Sequence, residues 1–409
     1  MTSVRRLCFD LHSWIGMKLC VFMGFICLTG TLAVLAHEID WLLQPAMRVS
    51  AAANQVSWGR QLDAAQSAYP DWEISVISAQ EGRLFASQIT AKMPQGGSRF
   101  IWVDPYRGSV TGDTPWFNIH RFLRNTHRHL MLPTKLGVPL VSSLAIALLL
   151  SVATSLVIYR KWWRGLLAWP RRERSRRYWG DLHRVVGVWS LWFVLLIGLT
   201  GLWYLVESLG ADAPPAPWKT VSSAQRTRSA INGAAVDQAI AQARRDWPGL
   251  RVTAIALDHK KKRITLQGQA DAILVRERAN ALRYQSGGAL LQRVAGTDLT
   301  LHQRIAEMAD PLHFGNFAGL PVKLLWFFFG ALLTVLSLTG AYLYGLRAFA
   351  SLRSSIARLA PAGTAPRTAP TPTPRNTWIL TWRGMGFWRW PWLALIAIGL
   401  SRVLEELRQ

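Results

Sequence analysis

The chain has 409 residues, 50% of them hydrophobic, with 21 tryptophans and a formal net charge of +24. That is too apolar and too basic for an ordinary soluble enzyme. The charge does not mark a nucleic-acid binder either, because the basic residues flank apolar runs in the pattern of a membrane protein.

Arg5 and Arg6 precede the first apolar segment, Ile15 to Ala36. A hydrocarbon core of about 30 Å needs about 20 such residues of helix. The segment is too long for a signal peptide and no small-x-small cleavage pattern follows it, so a retained helix is expected. Residues 1–36 are thus read as a cytoplasmic amino terminus and first span. Cys8, Cys20 and Cys27 are the chain's three cysteines and all fall in or beside this segment. The long loops therefore have no disulfide framework, and these thiols read as small apolar side chains.

Residues 37–125 form the first external region. SWGRQLDAAQSAYP has a helical pattern, WEISVI and RLFASQIT alternate as strands, and RFIWVDPYRGSVTG reads as strand, turn at Asp104 to Gly108, and return strand. The second span lies in residues 126–160, with Leu136 to Tyr159 apolar. The loop 161–180 follows, in the stretch RKWWRGLLAWPRRERSRRYWGD. It is rich in arginine, and short basic loops stay in the cytoplasm. Trp162, Trp163, Trp169 and Trp179 suit the membrane interface. The third span occupies residues 181–206, with Val185 to Val206 apolar.

The second external region, 207–311, repeats the order of the first. AAVDQAIAQARRDWPG is helix-like, and RVTAIALD, RITLQGQ, AILVRERA and LRYQSGGALLQRV alternate as strands. Helix, proline, then strands in both regions suggests a duplicated unit. The fourth span lies in 312–347, apolar from Leu320 to Leu346, and Arg347, Arg353 and Arg358 follow it. In the tail, 348–409, a Pro/Thr/Ala-rich stretch from Ala360 to Pro374 is expected to be disordered. The apolar run Trp390 to Leu400 is short for a span and is expected as an interfacial or re-entrant helix.

Four histidines stand at the ends of the four segments. His12 and His183 each follow Asp-Leu and sit on the predicted inner side. His127 and His313 sit on the predicted outer side. An ionisable residue in a span points to function. Two pairs of neutral imidazoles at two depths match two bis-histidine haems, because histidine is an axial haem ligand. His129, two residues from His127, and His120, seven residues before it, remain alternatives for the outer ligand, and His37 is a further competitor. His302 reads as surface or substrate-facing, and His259 as a solvated loop residue. Arg128, Arg304 and Lys323 near the outer pair, and Arg5, Arg6 and Arg184 near the inner one, are candidate partners for haem propionates. About 20 residues of the third segment, or ~30 Å, run from His183 to the outer side, which puts the two irons roughly 20 Å apart. Gly16, Gly24, Gly30, Gly187, Gly198 and Gly201 either make room for a porphyrin or serve close helix packing.

DLHSWIG, NTHRHLMLP, DLHRVVGVWSLWFVLLIGLTGLWY and PLHFGNFAGLPVKLLWFFFGALLTVLSLTGAYLY, together with VDPYRGSVTG, resemble PepSY-associated transmembrane proteins over about residues 5–347. Members include inner-membrane ferric-siderophore reductases such as ferrioxamine reductase. The resemblance implies a four-transmembrane-helix haem-binding bundle with two small external α+β PepSY-like domains. It also implies two haem b groups held by His12, His183, His127 and His313. The expected activity is a transmembrane ferric-siderophore reductase in the bacterial inner membrane, its large loops periplasmic.

No Cys-x-x-Cys, His-Glu-x-x-His, Gly-x-Ser-x-Gly, phosphate-binding glycine loop or Rossmann fingerprint occurs. Electrons would come from a cytoplasmic or quinol donor. Other partners implied are membrane lipid and a ferric siderophore as acceptor, with no nucleic acid. The alternatives are a non-enzymatic PepSY regulatory or assembly protein, or a haem partner of another periplasmic reductase.

Overall fold

The computed structural model describes residues 3–171, 176–221, 230–359 and 373–403. Most of the proline-rich stretch expected to be disordered, and Arg172 and Arg174 of the basic loop, lie outside the described residues. The chain forms two compact units that interleave along the sequence. One comprises Met1–Val34, Leu123–Gly210 and Leu324–Arg408, and the other is built from Leu35–Phe122 and Ala211–Lys323.

The first unit is helical. Its first apolar segment is two helices, α1 (Ser3–Lys18) and α2 (Cys20–Val34), which meet at a 68° bend. One helix was expected, and the groups that contact the bend lie far off in sequence. The indole of Trp392 donates to the Lys18 carbonyl at 2.8 Å and its ring stacks on Phe22 at 4.8 Å. Lys18 Nζ in turn donates to the carbonyls of Gly384 and Met385. A side chain inserted into the helix ladder is an established source of kinks.

The third helix of the chain, α3 (Ala36–Leu43), and the fourth, α4 (Trp58–Ala68), belong to the second unit. His127 lies on α5 (Ile119–His129), which ends at two left-handed residues, Leu130 and Met131. Leu130 is 1% exposed, packed with Phe22, Ile26, Val141 and Leu144. The chain then restarts after Pro133 as α6 (Thr134–Ser142) and α7 (Leu144–Ile158). The next span is entered through α8 (Arg176–Trp189) and continues as α9 (Leu191–Ser208). Glycines bring α9 close to α7, because a Cβ on Gly198 would meet Leu149 and one on Gly201 would meet Ala145. Thr134–Ile158, Leu191–Ser208 and Gly319–Leu352 are long and apolar enough to cross a membrane, and the bent α1–α2 pair makes up to four.

The second unit is a nine-stranded antiparallel sheet with helices. Its first half contributes β1 (Glu73–Ser78), β2 (Ser87–Lys92), β3 (Ser98–Val103) and β4 (Val110–Pro115). Its second half contributes β5 (Lys219–Thr220), α10 (Gly233–Asp246), β6 (Arg251–Asp258), β7 (Arg263–Gln269), β8 (Ala281–Gln285), β9 (Leu290–Val294) and α11 (Leu301–Phe314). The strand order is β4-β3-β2-β1-β6-β7-β8-β9-β5. The two regions expected as separate small domains therefore share one sheet, joined where Ile77 pairs with Ile255.

The two helices α4 and α10 pack as a reciprocal pair. Gly59 N–H donates to Asp237 at 2.8 Å, and Gly233 N–H donates to Asp63 at 2.8 Å. Each helix thus offers a glycine near its start and an aspartate four residues on, and the two clasp reciprocally. A Cβ at Gly59 or Gly233 would stand within 2.4 Å of the other's carbonyl oxygen. Beneath them Ile74, Ile77, Ile89, Ile101, Ile255, Ile264, Leu266 and Leu282 are fully buried. Each such side chain contributes about 1.5–3 kcal/mol.

AILVRERA, expected as a strand, is a loop that ends in a single turn, Glu277–Ala279. Its alternation serves a satellite cluster of Ala272, Val275 and Ala279. Arg276 is drawn to α11, where it pairs with Glu307 at 2.8 Å and Asp310 at 2.9 Å. The last helices, α12 (Gly319–Leu359), α13 (Pro374–Gly384) and α14 (Arg389–Ser401), close the chain. With 13 residues, α14 is short of the ~20 a span requires. It packs on α2, and Thr381 of α13 donates to the Ala341 carbonyl of α12.

Candidate functional site

The helical unit brings His12 and His183 together. His12 lies on α1 and His183 on α8, and their ring centroids are 6.4 Å apart with the planes at 78°. A metal–imidazole bond is about 2 Å long, and ring bonds near ~1.35 Å place the centre of an imidazole a little over ~1 Å behind each nitrogen. Two imidazoles on one metal thus have centres about 6 Å apart. The observed spacing fits a single iron between the rings.

The second shell decides the tautomers. His12 Nδ1 is 3.2 Å from Thr154 Oγ1, and His183 Nδ1 is 2.8 Å from Thr339 Oγ1. Each threonine hydroxyl has one proton, and each sits 2.7 Å from the carbonyl four residues back, Leu150 or Val335. With that proton committed to the carbonyl, the hydroxyl oxygen accepts from the histidine. Nδ1 is therefore the protonated nitrogen and Nε2 keeps the lone pair that a metal needs. Threonines in apolar spans carry no signal by themselves, and the sequence reading missed both. Gly16, one turn after His12, opens on space, with no heavy atom within 4 Å of where a Cβ would stand.

His127 is held in the same state by another device. Its Nδ1 lies 2.9 Å from the Ile26 carbonyl, which can only accept. The ring lies so close to α2 that a Cβ on Gly30 would stand 2.5 Å from its Cε1. Gly30 serves this close approach. Arg128 is exposed beside it. His313 belongs to the sheet unit, on α11, with its ring 5.5 Å from that of Phe314. The two competitors for the outer site, His37 and His120, stack on each other at 4.0 Å and 25°. That separation is too small for one iron between them.

Several charged groups are committed elsewhere. Lys323, expected beside a propionate, pairs with Glu38 and Glu81 at 3.1 Å each. Arg304 donates to the Ile273 carbonyl. Arg184 pairs with Asp181 at 3.0 Å, while its buried Nε has no hydrogen-bond partner among the described residues. Arg171 Nε also donates to the Asp181 carboxylate at 2.9 Å. Burial pushes the Asp40 carboxyl up, although the backbone N–H groups of Ile119 and His120 donate to it. His259, expected in a solvated loop, is half-buried and its Nε2 donates to the Ile74 carbonyl at 2.7 Å.

The family model of the PepSY-associated TM region matches residues 9–347. The chain belongs to the PepSY-associated transmembrane family. The match takes in His12, His127, His183 and His313 and ends twelve residues before the close of α12. Trp392, which contacts the α1–α2 bend, thus lies beyond the matched region of this PepSY-associated protein. An uncharacterized protein of Pseudomonas aeruginosa is 35% identical over 89 residues, which are 22% of this chain and 22% of that relative. The chain spans about a fifth of that relative's length in this match.

Proposed function

We propose that this chain is a di-haem b electron-transfer protein of the bacterial inner membrane that reduces ferric siderophores in the periplasm. The reading rests on the His12–His183 pair, spaced for one iron and held in the tautomer that leaves Nε2 to bind it. A haem held by His12 and His183 would supply one-electron exchange and would leave no open position for oxygen. Thr154 and Thr339 orient the inner ligands, and Ile26 and Gly30 orient His127. The sequence assigns His127 and His313 to the second haem. Arg184, whose Nε has no partner among the described residues, and the exposed Arg128 are assigned to propionates.

The orientation rests on the basic loop between the second and third spans, which favours the cytoplasmic side. It assigns the sheet unit to the periplasm, where a ferric chelate too polar for the hydrocarbon core meets the protein. Hard oxygen ligands hold Fe(III) better than Fe(II), so reduction loosens the chelate.

The test is a visible spectrum and a pyridine haemochrome assay of the purified chain. Two haems b per polypeptide are expected, and one on His183→Ala. The reduced wild type should be reoxidised by a ferric siderophore. A colourless protein, or one that a ferric siderophore does not oxidise, sinks the reading.

A further inference from the structure

Resting on the reading of His12 and His183 as haem ligands, we propose that the electron donor is a membrane quinol, bound in a cleft between α1 and α12. The cleft is open to one side and has a volume of about 930 Å³, within the ~300–1,000 Å³ usual for small-molecule sites. Phe9, Ser13, Trp14 and Met17 of α1 and Tyr344 and Arg347 of α12 line it. His12 stands on α1 between Phe9 and Ser13, so the helical turn that presents the ligand also forms the cleft wall.

Asp10, Lys18, Ser351 and Ser355 add polar groups to the lining, and its aromatic part suits the flat headgroup of a quinol. Phe9, Trp14 and Tyr344 provide flat apolar surface, and Phe9, Trp14 and Leu352 remain 38%, 52% and 49% exposed at its rim. Arg347 is fixed within it. Its Nη1 donates to Ser13 at 3.0 Å, its Nε donates to the Leu343 carbonyl, and its guanidinium lies 5.0 Å from the centre of the Phe9 ring. Its Nη2 has no hydrogen-bond partner among the described residues, which leaves a donor for a headgroup oxygen. A nucleotide donor would require a phosphate cradle, and the sequence has no glycine loop to form one. A quinol needs no such cradle.

In the reaction each quinol gives up two electrons and two protons and leaves as the quinone. A haem held by His12 and His183 would accept the electrons one at a time, and the protons would go to water at the helix ends.

Two measurements on the full chain in detergent test this. In the first, an azidoquinone photolabel is expected on peptides spanning 9–18 and 344–355, displaced by excess decylubiquinone and lost in Ala348→Trp, which fills the cleft. This arm needs no haem. In the second, decylubiquinol under anaerobic conditions is expected to reduce the haem absorbance. Ala348→Trp and Arg347→Gln should each slow that reduction at least tenfold, while dithionite still reduces every form in full. Labelling elsewhere, or none because phospholipid fills the cleft, overturns the site. Labelling in the cleft of a dithionite-reducible protein that quinol does not reduce overturns the donor role. So does quinol reduction of Ala348→Trp at the wild-type rate. A chain without haem sinks the proposed function and the donor role together, and the label still reports whether the cleft takes a quinone.

Discussion

Replacing Thr339 with valine preserves a side chain that is 5% exposed and removes only its hydroxyl. That hydroxyl oxygen is the acceptor for His183 Nδ1–H at 2.8 Å. Without it the N–H faces a methyl group, and an unsatisfied buried donor costs about 1–3 kcal/mol. A neutral imidazole escapes this cost by moving its proton to Nε2. At about 1.4 kcal/mol per tenfold, the tautomer ratio shifts by roughly 5- to 150-fold toward the form that cannot bind iron. Second-shell changes of this kind cost about 10- to 100-fold in metal affinity. The assay is a two-bond nitrogen–proton NMR correlation on full-length chain with ¹⁵N-labelled histidine, purified from haem-deficient cells. Wild type should show His183 protonated at Nδ1, Thr339→Val should show it mainly at Nε2, and Thr339→Ser should resemble wild type. An unchanged His183 pattern in Thr339→Val, or serine behaving as valine does, would refute the role given to the hydroxyl.

Gly233→Ala and Gly59→Ala each drive a Cβ into backbone and break a carboxylate-accepted hydrogen bond. Each is expected to destabilise the sheet unit by about 2–4 kcal/mol, read by pulse proteolysis of the full chain, and wild-type resistance in either would discredit the clasp. Gly30→Ala should push His127 off the Ile26 carbonyl and lower haem content from two to one per chain. Retention of both haems would show that His127 does not depend on this contact. Tyr284 is fully buried and donates to Asp246 at 2.8 Å, and burial together with that carboxylate pushes its hydroxyl up. Its contribution is complete below about pH 10, the ordinary tyrosine value, and is lost as pH rises toward the folded value. Tyr284→Phe should cost about 1.5–3 kcal/mol at neutral pH, and the difference from wild type should shrink above pH 10; a pH-independent difference would contradict the assignment.

Much of this architecture could be read along the chain. The repeated Asp-Leu-His marked His12 and His183, and the structure places them side by side. The helix-then-strand order gave nearly every element of the sheet. Period-2 patterning tells which face of a strand is buried but not which strand lies beside it, so the β1–β6 junction that fuses the two halves was invisible. The segment around Ala272 alternated correctly for a strand, yet its apolar residues fill a satellite cluster because Arg276 is held by Glu307. The bend after Lys18 has no proline or glycine at it and is held by Trp392 from the far end of the chain. Thr154 and Thr339 were hidden for a similar reason, because a threonine in an apolar span is common and its role appears only once a histidine from another helix stands against it.

The sheet's strand order also sets a timetable. β1 has β2 on one side and must wait for β6 on the other. About 135 residues, including two membrane spans, separate the end of β4 from the start of β6. At ~5–20 residues per second of synthesis, the half-built sheet presents an open edge for roughly ten seconds or more. During that interval any extended segment can add to it, including the same edge on a neighbouring nascent copy. A chain truncated before Arg251 never closes this edge, so such fragments should aggregate through β1 even if their helices insert normally.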